Sequence, residues 1–169
     1  MSPAKIHLRD LSDNPIKPAD QCRPTEVASP GRLLAIDLGT KRIGLAVTDE
    51  LQITVTPLGR LERHNWKDLL RRIVTLVESY DARALIIGLP LNMDGTQGAA
   101  AEDVRRLAEN FRKSLDVPVF LQDERLTSLA AESEMTGRGV APDEIMRRID
   151  SESAAIILRD FLATHAQGD

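Results

Sequence analysis

Residues 33–39 read LLAIDLG, an apolar run that ends in an aspartate and a glycine. Such a run is typical of a strand that is covered on both faces of a sheet. A polar turn then leads into residues 43–48, where large apolar residues alternate with smaller or polar ones as in a second strand. A third strand is predicted over residues 53–58, and the short connections favour an antiparallel meander of three strands.

Beyond this meander the chain alternates between helix and strand patterns. The predicted elements are a helix over 66–80, a buried strand over 84–87, a second helix over 104–115, a fifth strand over 117–121, helical residues from Thr127 that break at 137–139, and a last helix that ends near Thr164. Pro118, near the start of the fifth strand, is consistent with an edge position. This order predicts an α/β protein of the ribonuclease-H-like fold, with a mixed five-stranded sheet of order 3-2-1-4-5 flanked by helices.

The segment 1–31 differs in composition from the rest of the chain. It holds five of the nine prolines, few large apolar residues and no periodicity, which predicts a disordered, proline-rich tail followed by one domain over 32–169. Charges interrupt every short apolar stretch near the N-terminus, and no run approaches the roughly 20 apolar residues that span a bilayer. With Cys22 as its single cysteine, the chain is expected to be cytoplasmic and to lack a disulfide framework.

Composition does not by itself indicate nucleic-acid binding. The 169 residues include 22 Lys and Arg against 26 Asp and Glu, for a net charge of −4. An acidic protein that acts on phosphates needs bound cations or local basic patches; ordinary acidic solubility explains the same balance. Aromatic residues make up only 3% of the chain, which argues against base stacking as the recognition mode.

Asp37 is an acid inside an apolar strand that is predicted to be central in the sheet. An ionised carboxylate there carries a large desolvation cost unless a cation compensates for it. The alternative is a turn aspartate that accepts hydrogen bonds from local amides. The central position favours a functional carboxylate.

Glu124 comes directly after the fifth strand. Sites in open α/β sheets gather at the carboxyl ends of parallel strands, which favours a functional role. The alternative is an acid at the start of a helix with Thr127 as N-cap. Spacing also does not exclude the adjacent Asp123 as the acid used here.

Asp150 continues an apolar stripe of the last predicted helix. Helical steps from it reach Ala154, Ile157 and Phe161, so its side chain is expected to point toward the sheet. The alternative is an N-cap aspartate for a helix that starts near Ser151. Both interpretations are compatible.

Together, Asp37, Glu124 and Asp150 present oxygen ligands of the kind that Mg²⁺ and Mn²⁺ prefer. The three histidines are scattered along the chain, which argues against zinc. Two such ions held by carboxylates are the usual apparatus of phosphodiester hydrolysis, one activating water and the other stabilising the departing oxygen.

Basic residues lie close in sequence to each of these acids, and we predict that they contact nucleic-acid phosphates. They are Lys41, Arg42, Arg125, Arg147 and Arg148. A polar loop over 92–97 is a further candidate for substrate contact, although a tight turn explains its Asp94 and Gly95 equally well.

Four segments, in order and with suitable spacing, resemble the YqgF family, also called RuvX-like. They are residues 35–44 (AIDLGTKRIG), 88–95 (GLPLNMDG), 123–128 (DERLTS) and 149–158 (IDSESAAIIL). Four ordered matches are far more specific than one. The resemblance implies a ribonuclease-H-like fold and assigns the family's acids to Asp37, Glu124 and Asp150. Related resolvases place the middle acid on the fourth strand, whereas here the acid comes one strand later.

The resemblance further implies a metal-dependent endonuclease that processes the 5′ end of pre-16S rRNA in ribosome biogenesis, with Mg²⁺ or Mn²⁺ as cofactor. The implied partners are structured RNA and ribosomal precursor particles. One alternative is a Holliday junction resolvase acting on branched DNA, whose paired cuts require two active sites; another is a non-catalytic nucleic-acid-binding protein. Actin-like ATPases share a similar phosphate loop, but they need a duplicated lobe for which this chain is too short.

Overall fold

A computed structural model describes residues 30–92, 94–123 and 142–165, with the helix but not the side chains given for 142–151. A five-stranded sheet of order β3-β2-β1-β4-β5 forms its centre. Its strands are β1 (Arg32–Leu38), β2 (Arg42–Thr48), β3 (Val55–Glu62), β4 (Ala82–Leu89) and β5 (Val119–Asp123). Strand β2 is antiparallel to β1 and β3, whereas β4 is parallel to β1 and β5. The predicted mixed sheet, its order and the ribonuclease-H-like fold are confirmed.

Three helices cover the sheet in the part of the chain that the structure describes. They are α1 (Trp66–Ser79), α2 (Ala99–Ser114) and α3 (Pro142–His165). The side chain of Asn65 accepts a hydrogen bond from the backbone N–H of Asp68 and so caps the start of α1. Among the described residues, no helix combines the length and apolar character needed to cross a membrane.

The third strand lies further along the chain than the sequence suggests. The carboxylate of Asp49 accepts hydrogen bonds from the backbone N–H groups of Ile53 and Thr54, at 2.7 and 2.9 Å. These bonds close a turn before the strand begins, and Ile53 is 73% exposed. The prediction of a strand over 53–58 was therefore wrong in its bounds, because an apolar residue at 53 belongs to the turn.

The two faces of the sheet pack against different helices. One core joins α1 and α2, the latter through Phe111, to side chains of the sheet that include Leu34, Ile36, Leu85 and Ile87. The other joins α3 to the opposite face through Leu33, Ala35, Ala46, Ala84, Ile86, Ala154, Ala155, Ile157, Leu158 and Phe161. Because side chains alternate along a strand, this division tells which face each residue of β1 belongs to.

Candidate active site

Asp37 lies near the carboxyl end of β1, the middle strand of the sheet. It follows Leu33 and Ala35 in the strand alternation, so it belongs to the face covered by α3. Unlike those two residues, Asp37 is only half-buried. The predicted central position of this acid is confirmed.

The strands on either side of Asp37 carry glycines next to it. On β2, Gly44 is its direct cross-strand partner. On β4, Ile87 pairs with Ile36, so Gly88 lies beside Asp37 one step further along the parallel register. Both positions directly beside Asp37 in the sheet are therefore glycines.

The cross-strand row that contains Gly44, Asp37 and Gly88 continues on β5 with a residue that carries a side-chain amide. Gly88 pairs with Gln122 on β5, so Gln122, and not Asp123, continues the row that contains Asp37. Both residues line a shallow cleft against the C-terminal part of α3, together with Asp160, Ala163 and Thr164. The end of β5 thus contributes an amide and a carboxylate to the lining of this cleft.

Asp123 lies near a second carboxylate, that of Asp160, in this cleft. Partial burial, together with the nearby Asp123, raises the pKa of Asp160 above its ordinary value. Within the described ranges, no three His, Cys, Asp or Glu residues come together in a way that could hold a metal ion. Because Glu124 and the side chain of Asp150 lie outside the described residues, the choice between Asp123 and Glu124 stays a prediction.

The turn after Asp37 depends on the glycine at position 39. The N–H of Gly39 donates to the main-chain oxygen of Arg42 at 2.9 Å. A Cβ at position 39 would lie 2.6 Å from that same oxygen. This distance is shorter than the contacts that Cβ atoms make in real proteins. Glycine is thus required for the close approach of the two ends of the turn.

Arg63 holds this turn from the end of β3. Its Nη1 donates to the main-chain oxygen of Gly39 at 2.8 Å, and its backbone N–H donates to the oxygen of Lys41 at 2.9 Å. Lys41 is exposed and Arg42 half-buried, so two predicted phosphate-contacting residues sit on a turn fixed by Arg63. Sequence analysis missed Arg63, because only the pairing of β2 with β3 brings it to the turn.

The polar loop after β4 is organised by its own hydrogen bonds. The carboxylate of Asp94 accepts from the N–H and the hydroxyl of Thr96, at 2.9 and 2.7 Å. The side-chain amide of Asn92 donates to the hydroxyl of Thr96 at 2.9 Å. The hydrogen bond from the Thr96 hydroxyl, and to a smaller extent that from the Thr96 N–H, hold the pKa of Asp94 below its ordinary value. The interpretation of this segment as a tight turn is confirmed.

The other predicted site residues fall outside what the structure describes. Glu124 and Arg125 lie outside the described ranges, and for Arg147, Arg148 and Asp150 only the helix is given. Helix α3 begins at Pro142, so the interpretation of Asp150 as an N-cap was wrong: it lies in the interior of the helix. The shared pocket of Asp37, Glu124 and Asp150 stays a prediction.

The chain is similar to known proteins over most of its length. The family model described as "RuvX: Holliday junction resolvase" matches residues 31–164. A protein of Roseiflexus sp. (strain RS-1) named "Putative pre-16S rRNA nuclease" is 40% identical over 135 residues, which cover 80% of this chain and 96% of that protein. One of the same name from Anaeromyxobacter sp. (strain K) is 41% identical over 135 residues, covering 80% and 98%.

Solved structures similar to this chain include two resolvases bound to junction DNA. Thermus thermophilus RuvC with a Holliday junction substrate superposes with a TM-score of 0.48 at 15% identity, covering 79% of this chain and 95% of that one. The fowlpox virus resolvase with Holliday junction DNA gives a TM-score of 0.48 at 10% identity, covering 79% and 97%. The family match spans most of the chain and includes all four segments quoted from the sequence. The chain belongs to the RuvX (YqgF) family.

Proposed function

We propose that this protein is a metal-dependent endonuclease that processes the 5′ end of pre-16S rRNA. The observation that carries the proposal is the placement of Asp37 at the carboxyl end of the central strand, with Gly44 and Gly88 on either side of it. A carboxylate in this position, in a chain about 40% identical to relatives named as pre-16S rRNA nucleases, is suited to act on a phosphodiester.

The donor set suits a hard divalent cation. Asp37, Glu124 and Asp150 would supply carboxylate oxygens to Mg²⁺ or Mn²⁺. Such an ion supplies activation of the attacking water and neutralisation of charge on the phosphate. The carboxylates would hold the ion in place, and Lys41 and Arg42 would bind phosphates of the substrate next to it.

The test is cleavage of a precursor 16S rRNA fragment by the full-length protein in Mg²⁺ or Mn²⁺. Replacement of Asp37 by Asn keeps the shape of the side chain and removes its charge, and cleavage should fall about a hundredfold or more. Asp103→Asn is the matched control, since Asp103 is an exposed aspartate of α2 paired with Arg106, and it should cleave like the wild type. Unchanged cleavage by Asp37→Asn would overturn the proposed role of Asp37.

Resolution of four-way DNA junctions is the second candidate, because the matching family model is described as a Holliday junction resolvase. Paired cuts across a junction need two active sites. The same preparations should therefore be assayed on a four-way junction, with the mass of the protein measured in solution. Symmetric paired cuts by a dimer, with no cleavage of the RNA, would favour the resolvase over the rRNA nuclease. Salt-sensitive binding without any metal-dependent cleavage would favour a binding protein.

A further inference from the structure

Arg60 lies in the same row of the sheet as Asp37. On β3, Arg60 is the cross-strand partner of Gly44, and on β1, Asp37 is the partner of Gly44. Neighbouring strands are about 4.8 Å apart, so the Cα atoms of Arg60 and Asp37 are separated by roughly 10 Å with only a glycine between them. A long cationic side chain and the carboxylate thus lie on either side of one buried glycine in the same row of the sheet.

A β-bulge puts Arg60 on this face. Ala46 pairs with Pro57 but Leu45 pairs with Gly59, so Leu58 is an extra residue on β3. Without that extra residue Arg60 would pair with Ile43, which points into the core beneath α1 and α2. The extra residue moves Arg60 to the face of Asp37 and α3.

The backbone of the bulge supports the same conclusion. Gly59, the second of the two bulged residues, has a φ of +101°, a conformation that favours glycine, and a glycine inside a strand often marks a bulge. β-Bulges are common next to active sites, where they re-aim a side chain. Here the side chain that is re-aimed is a half-buried arginine.

We propose that Arg60 is a phosphate-binding residue of the site that contains Asp37, contacting a phosphate of the bound nucleic-acid strand next to the one at Asp37. The inference rests on the proposed function for the class of ligand. The planar guanidinium matches phosphate oxygens in a bidentate manner. Its place in the row of Asp37, on the same face of the sheet and two strands away, puts a phosphate-binding group within reach of a strand that is bound at the carboxylate.

The test measures binding apart from cleavage. A labelled precursor 16S rRNA fragment is titrated with full-length protein in EDTA at several salt concentrations, for the wild type, Arg60→Ala and Arg60→Lys. We expect Arg60→Ala to raise Kd about tenfold and to reduce the slope of log K against log salt by about 1, and Arg60→Lys to restore much of both. Arg83→Ala is the matched control, because Arg83 is an exposed arginine at the opposite end of β4, and it should change neither quantity.

The outcomes separate this proposal from the function on which it rests. Unchanged Kd and salt slope in Arg60→Ala, in a protein whose wild type cleaves the RNA, overturn the role of Arg60 alone. A lower slope in Arg60→Ala, in a protein that binds the RNA but never cleaves it, supports the role of Arg60 and overturns the nuclease. A lower thermal stability of Arg60→Ala with wild-type binding marks Arg60 as a structural residue and also overturns the proposal.

Discussion

Arg63 donates a hydrogen bond of 2.8 Å from its guanidinium to the main-chain oxygen of Gly39, across 24 residues of sequence. The bond joins the end of β3 to the turn that follows Asp37. A turn of this kind, with a glycine in close contact with the backbone of Arg42, would otherwise keep more of its conformational freedom. Arg63 is thus a positioning residue for the basic side chains of the turn.

Replacement of Arg63 by Ala should loosen this turn without unfolding the protein. We expect the free energy of unfolding to fall by about 1 kcal/mol, since one hydrogen bond is lost, and the KM for RNA cleavage to rise more than kcat falls. Urea unfolding and steady-state kinetics measure the two effects. Arg105→Ala is the control. Arg105 lies on α2, and its guanidinium also donates a solvent-exposed hydrogen bond, to the side chain of Gln97. Equal KM values for Arg63→Ala and the wild type would contradict the positioning role.

The bulge in β3 can be tested through its backbone. Gly59→Ala places a Cβ at a φ of +101°, where nothing lies within 4 Å of it; strain is therefore the direct cost. We expect a loss of roughly 1 kcal/mol of stability and a weakening of RNA binding in the direction of Arg60→Ala. Chemical denaturation and the salt titration check these effects. A destabilised variant with wild-type affinity would show that the bulge does not aim Arg60 at the substrate.

Two buried hydroxyls of this protein should respond in opposite ways to removal. The hydroxyl of Thr48 accepts a hydrogen bond of 2.9 Å from the backbone N–H of Leu33, and Thr48 is only 2% exposed. Thr48→Val leaves that buried N–H without its acceptor and should cost about 1–3 kcal/mol. Thermal or urea unfolding measures the loss, and a cost near zero would mean that the N–H finds another partner.

Ser153 is the counterpart of Thr48. It is 1% exposed, and within the part of the chain that the structure describes its hydroxyl has no hydrogen-bond partner. Ser153→Ala should therefore keep or raise the free energy of unfolding, by up to about 1 kcal/mol, because a desolvated polar group is removed. A marked loss of stability in the same unfolding assay would show that the hydroxyl does have a partner.

The pKa of Asp160, raised by burial and by Asp123, makes stability depend on pH. The folded protein binds this proton more tightly than the unfolded one, so the contribution of Asp160 to stability falls as the pH rises above the ordinary value of 3.8. Asp160→Asn should be more stable than the wild type at pH 7 and should converge with it in acid. Urea unfolding across this range measures the difference.

Asp68→Asn should change the free energy of unfolding in the opposite direction, and it serves as the control for the experiment on Asp160. Hydrogen bonding from Arg71, and then the charge of Arg72, hold the pKa of Asp68 below its ordinary value. The stability it contributes is present above 3.8 and is lost as the pH falls through the lower folded value. The variant should be less stable than the wild type at pH 7. Parallel behaviour of the two variants would contradict the assignment for Asp160.

The sheet and its central acid were predictable because the signals are local. The apolar run of β1 and the alternation of β2 each fall within seven residues, and strand order follows from short antiparallel connections and parallel crossovers. Asp37 stands out in that pattern as a polar residue in an apolar strand. Its glycine neighbours Gly44 and Gly88 become informative only once the register is known.

The contributions of Arg60 and Arg63 were not predictable in the same way, because they depend on how β3 pairs with β2. A glycine inside a strand is itself a signal for a bulge, and Gly59 alone could therefore have predicted a bulge in β3. The direction in which the bulge turns Arg60 still depends on the extra residue at Leu58. The bounds of β3 were missed for a related reason, since Asp49 closes its turn through hydrogen bonds to residues that look apolar and extended in sequence.

The placement of α3 over the face of Asp37 has a consequence for biosynthesis. Strands β1–β5 leave the ribosome before α3, and until α3 packs they present Leu33, Ala35 and Ile86 to water, since these residues form a core only with Ala154, Ile157 and Phe161. A polypeptide interrupted after β5 would therefore expose an apolar sheet face and be prone to aggregation. It would also lack the helix that covers the face of Asp37. Quality control by chaperones and proteases would act on such fragments, so translation must run through the last helix before the protein can become competent.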